Sequence, residues 1–107
     1  EAVKAEYEAL AKANENSWRI LFAIANVFSY NEYFKEAIPM WQKTFDCMPK
    51  PRYTDSFEAM AQCCVRMGDH ESAVEYYKKE LELLREDWGL KYGAEVDALE
   101  EKIRALQ

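Results

Sequence analysis

Apolar residues recur along this chain at intervals of three and four, the period of a helix with one buried face. Leu21, Ile24, Ala25 and Phe28 form the first strong stripe, followed by Ala37, Trp41 and Phe45. Phe57, Met60, Ala61 and Cys64 form the next, then Val74, Tyr77, Leu81, Leu84 and Trp88. Val96, Leu99, Ile103 and Leu106 close the series, and Val3, Tyr7 and Leu10 mark a helix near the N-terminus. The pattern predicts six helices. Ser17 is placed to cap one that runs to about Tyr30. Asn31-Glu32 makes a turn into a helix over about Phe34 to Asp46, which Pro49 and Pro51 prevent from continuing. Thr54 or Asp55 caps the next, Gly68 ends it, and Asp69 precedes a long helix reaching about Asp87. Trp88-Gly89 opens a loop that closes near Gly93. The Val74-to-Trp88 stripe is compatible with a coiled-coil seam. The preferred reading packs it against the Phe57-to-Cys64 helix and the last helix.

The pattern also repeats. Leu21, Ala25, Phe28, Ala37 and Trp41 are matched by Phe57, Ala61, Cys64, Ala73 and Tyr77, at an offset of 36 residues (Ala37 to Ala73). Small residues at Ala25 with Ala37, and at Ala61 with Ala73, let paired helices approach closely while aromatics fill the remaining space. This register resembles the tetratricopeptide repeat, with Leu21, Ala25, Phe28, Ala37, Trp41 and Pro49 at its signature positions in the first unit. Phe57, Ala61, Ala73 and Tyr77 hold them in the second, where Cys64 replaces an aromatic and Arg85 replaces the closing Pro. The resemblance implies an all-α fold. Antiparallel helix pairs would stack as a short right-handed superhelix, with an N-terminal helix and a C-terminal capping helix. It implies a single domain over 1–107, with repeats at about 17–50 and 53–86 and the capping helix at about 94–107.

Composition narrows the function. Fifteen aromatics (three Trp, seven Tyr and five Phe) and a half-hydrophobic sequence supply a core without metals or disulfides. The net charge of −6 and the absence of any basic run argue against direct contact with nucleic acid. Three cysteines, Cys47, Cys63 and Cys64, are an odd number, and helical neighbours are poorly placed to bridge each other. A reducing, cytoplasmic setting is expected. The apolar run Ile20 to Phe28 is broken by Asn26 and is too short to span a membrane.

Three segments carry a second resemblance: Ile20 to Val27, Met48 to Asp55, and Leu84 to Gly89. They resemble the C-terminal repeat regions of bacterial regulators in which a helix-turn-helix domain of the xenobiotic-response-element type precedes tetratricopeptide repeats. The Asp87-Trp88-Gly89 turn with the helix after it is similar to the end of bacterial transcriptional activator domains. The resemblance implies the regulatory or sensing half of a transcriptional regulator, its DNA-binding domain lying outside this chain. The start at Glu1 without an initiator Met fits that expectation. A free-standing adaptor and a homodimerisation module are the alternatives.

Catalysis is not expected. The three glycines, at 68, 89 and 93, stand apart, so no phosphate-cradling loop is present. Cys63, Cys64 and His70 are the clustered candidates for a metal or nucleophile, but adjacent helical residues point about 100° apart. Neither a cofactor nor a metal is implied, and Cys64 lies in the packing register. Binding is expected instead. In repeats of the type resembled here, the first helix of each pair lines a concave groove. The corresponding positions are Arg19, Phe22, Asn26, Ser29 and Tyr30, then Asp55, Glu58, Gln62, Val65 and Arg66. Aromatic, amide and charged side chains together suit a protein or peptide partner. Asn26 stands where such repeats clamp a peptide carboxylate, but Phe22 replaces the basic residue one turn before it. Asn26 is equally suited to a hydrogen bond with a neighbouring loop. Trp18, Tyr30 and Trp41 are either core residues or the frame of a small-molecule pocket.

Overall fold

Helices α1 (Ala2–Ala13), α2 (Trp18–Tyr30), α3 (Phe34–Cys47), α4 (Asp55–Arg66), α5 (His70–Trp88) and α6 (Ala94–Leu106) make up the computed structural model of the protein, which describes residues 2–107. The described residues contain no strand, so the fold is all-α. The helices fall into two units, Glu1–Pro49 and Lys50–Gln107, with the division inside the proline-rich linker.

In the first unit α2 and α3 form a hairpin. Leu21, Ala25 and Ala37 are wholly buried, with Phe28 and Trp41 almost so. The Ser17 hydroxyl caps α2 by accepting from the Ile20 N–H at 3.4 Å. Tyr7 of α1 and Tyr33 at the turn each meet the Phe28 ring edge-on, with centroids 6.3 Å apart. Lys4 pairs with Glu36 at 2.7 Å, tying α1 to α3. The α1 stripe turns out differently from its sequence pattern: Ala11 is its buried residue, while Val3 and Leu10 remain exposed. Helix α3 also continues through Pro39, an interior proline on the exposed side.

In the second unit α5 packs between α4 and α6. Val74, Tyr77, Leu81 and Leu84 of α5 meet Ala61 of α4 and Val96, Leu99 and Ile103 of α6 in one buried cluster. The preferred reading of the α5 stripe is correct as far as Leu84. Trp88 departs from it: it is 47% exposed, and its indole N–H donates to the Arg52 carbonyl at 2.6 Å. The carboxylate of Asp69 caps α5 by accepting from the Ser72 N–H at 3.1 Å. Thr54 stands at the N-cap of α4 without capping it. Its hydroxyl hydrogen-bonds the Glu80 carboxylate instead.

The two hairpin turns are built alike. The Tyr33 N–H donates to the Phe28 carbonyl and the Glu32 N–H to Ser29, which is the Schellman arrangement. Thirty-six residues later, the Asp69 N–H donates to Cys64 and the Gly68 N–H to Val65. The left-handed position is Glu32 (φ 65°) in the first turn and Gly68 (φ 80°) in the second. The offset read from apolar spacing is thus reproduced in the backbone hydrogen bonds.

Candidate functional site

Helices α2 and α4 place the expected contact residues at the same spacing, each set on one stripe of its own helix. On α2, the Arg19 guanidinium lies over the Trp18 ring at 5.0 Å, and Phe22 is half-buried. Tyr30, 86% exposed, projects from the last turn. Asn26 is exposed on α2, yet its Oδ1 accepts from the Trp41 indole N–H at 3.2 Å. Its partner is thus a side chain of the facing helix rather than a loop. The bond satisfies the polar edge of an indole that is only 2% exposed. Trp41 is core and Tyr30 is exposed, so these two rings do not frame a common pocket.

On α4, Asp55 lies exposed in the first turn, and Gln62 and Arg66 are exposed further along. Glu58 reaches Lys102 of α6 at 3.3 Å. Lys102 also sits over the Tyr77 ring at 5.6 Å. Ser29 is buried at the end of α2, whereas its counterpart Val65 is exposed.

A second arrangement lies where the linker meets the end of α5, and the sequence pattern alone did not reveal it. The Asp87 carboxylate, almost wholly buried, accepts three hydrogen bonds from Arg52. These come from Nε at 2.7 Å, Nη2 at 2.9 Å and the backbone N–H at 2.9 Å. The paired guanidinium holds the Asp87 carboxyl well below the usual carboxylate range. This clip and the Trp88 indole bond fix residues 52 and 88 against each other. The Tyr53 and Trp88 rings then lie 6.2 Å apart, tilted by 41°. Beside them opens a cavity of about 400 Å³, to which Leu84 and Leu90 add apolar lining and Thr54, Asp55 and Glu95 polar lining. The sequence signal, visible only in retrospect, is an Arg after paired prolines matched by an Asp-Trp at a helix end.

Glu80 lies behind this region. It is 5% exposed, and its Oε1 has no hydrogen-bond partner. Burial first, then the Glu58 charge, push its carboxyl up to about 7, against the opposing pull of Lys102 and the Thr54 bond. Burial likewise pushes the Cys64 thiol up to about 11, so it is a protonated core group rather than a nucleophile. Among the described residues no three His, Cys, Asp or Glu side chains are grouped so as to hold a metal ion. None of the described helices is long and apolar enough to cross a membrane.

A different surface shows apolar exposure. Leu10 of α1 and Ile20 of α2 border an almost wholly apolar groove of about 260 Å³ that also includes Tyr7, Ala23 and Val27. By contrast, the Val74-to-Leu84 part of the stripe that is compatible with a coiled-coil seam is consumed within its own unit.

No protein-family model matches the chain, and no curated protein matches it.

Proposed function

We propose that this chain is a protein- or peptide-binding helical module of the tetratricopeptide type, without catalytic activity of its own. We further propose that it is the regulatory half of a larger bacterial transcriptional regulator. The observation that carries the binding reading is the 36-residue repetition of both turn geometry and the spacing of one first-helix face. Arg19, Phe22, Asn26 and Tyr30 recur as Asp55, Glu58, Gln62 and Arg66. A helix hairpin repeated with its Ala contact positions kept and its first-helix face varied suits recognition rather than chemistry.

The test is selection of peptides from a displayed random library against the protein. Binding of the selected peptides is then measured with Tyr30, Gln62 and Arg66 all replaced by Ala. These side chains are exposed, so helicity by circular dichroism remains unchanged. Loss of at least tenfold in affinity is expected, and retention of full affinity would sink the assignment of these faces. Asn26 is left intact because its loss would damage the hairpin. Self-association is the second reading, favoured by the exposed Leu10 and Ile20. Light scattering that finds only monomer at high concentration removes it.

A further inference from the structure

We propose that the cavity between Tyr53 and Trp88 receives the cationic side chain of a lysine or arginine presented by a partner peptide. The peptide source rests on the reading above; the preference for a cation rests on the cavity itself.

Four observations converge. First, two half-exposed aromatic rings flank an open cavity, and their faces attract an organic cation through the ring quadrupole. Second, the arrangement is preorganised. The Arg52–Asp87 clip holds the backbone next to Tyr53, and the indole bond to the Arg52 carbonyl sets Trp88. Little ordering is left for a ligand to impose. Third, the lining matches a long basic side chain in parts. Leu84 and Leu90 suit its methylene stem, while the carboxylates of Asp55 and Glu95 suit its charged end.

Fourth, the surrounding charge favours a cation. Glu80, nearly buried and with one oxygen unpartnered, adjoins the cavity through its hydrogen bond to the lining residue Thr54. It also feels the charges of Glu95 and Glu58. Two of the cations nearby are already engaged, Arg52 by Asp87 and Lys102 by Glu58. An entering ammonium or guanidinium group therefore meets a region richer in carboxylate than in cation. A neutral or acidic side chain of the same length gains none of this.

The experiment titrates the full chain with Nα-acetyl-lysine amide, Nα-acetyl-arginine amide and the neutral comparator Nα-acetyl-norleucine amide. The indole N–H resonance of Trp88 is followed by NMR. Saturable shifts are expected with the lysine and arginine amides and not with norleucine. The Asp55→Asn/Glu95→Gln double variant, altered only at exposed positions, weakens the lysine amide by up to about tenfold. Its backbone spectrum and circular dichroism stay those of the parent.

Equal response to norleucine makes the cavity merely apolar and overturns the proposal, as does the absence of any saturable shift. Basic peptides that bind while leaving Trp88 unmoved also overturn it, although the peptide-binding reading survives. If the amides bind but no basic peptide binds more tightly than they do, the cation site stands and the peptide reading fails.

Discussion

Glu32 and Gly68 occupy the same position in equivalent turns, yet only one of them is glycine. A side chain at φ 65° meets its own backbone, at a cost of about 1 kcal/mol relative to glycine. Glu32→Gly is therefore expected to raise stability by about 1 kcal/mol, read as a melting temperature several degrees higher. Gly68→Ala moves it the other way by a similar amount. The Asn26–Trp41 bond makes a second prediction at this scale. Asn26→Leu leaves a buried indole N–H without its acceptor and costs about 1–3 kcal/mol, measurable by urea denaturation. Neither consequence was legible in the sequence. Asn26 stood out there as a polar interruption of an apolar run, and residue type alone offered equal grounds for a ligand contact and for an internal hydrogen bond. Trp41, fifteen positions on, decided between them because the hairpin brings the indole edge to the amide.

At the scale of elements, the helices and most of their ends were legible. Apolar spacing, Ser17, Asp69, the two prolines and Gly68 act within a few residues of themselves, so local chemistry suffices. Trp88 was misassigned because its spacing continues the α5 stripe, while its indole N–H finds the Arg52 carbonyl 36 residues away. The clip beneath it has a pH consequence. Asp87 is held well below its ordinary range, so its stabilisation is present above the unfolded carboxyl pKa of about 4 and is lost only as pH falls through the lower folded value. Trp88 fluorescence is expected to stay constant from pH 7 to pH 4. Asp87→Asn, which removes the charge, changes it already at pH 7.

Glu80 has the opposite sign. Its folded value, about 7, lies above the ordinary 4.5, so between those values the folded state holds a proton that the unfolded state has lost. Stability from this group declines as pH rises from about 4.5 to 7, and above that the buried charge costs on the order of 3 kcal/mol. The charged neighbours that set the shift are Glu58 of α4 and Lys102 and Glu95 of α6. Glu80→Gln is expected to be more stable than the parent at pH 8. The gap closes towards pH 5 in parallel denaturation curves, and a gap independent of pH would contradict this origin.

At the scale of the whole molecule, charge and surface chemistry bear on partners. The chain carries a net charge of −6 and a cavity lined by Tyr53, Trp88, Asp55 and Glu95, so on the proposed reading binding of a basic peptide is expected to weaken as salt rises from 50 to 500 mM. A partner held through the α1–α2 apolar groove would show little such dependence. The sequence by itself determined the all-α class, the six helices, the 36-residue repetition and the small residues at helix contacts. Each follows from a period or a local steric demand that operates within one or two turns of chain. Only tertiary structure decided the rest: that Asn26 serves Trp41, that Thr54 gives its hydroxyl to Glu80 rather than to a cap, and that Arg52, Tyr53, Asp87 and Trp88 assemble one clip and one cavity. Those pairings join residues 15 to 36 positions apart. Hydrogen-bonding groups of many residue types could satisfy each of them equally well, so only the packed backbone selects the partner.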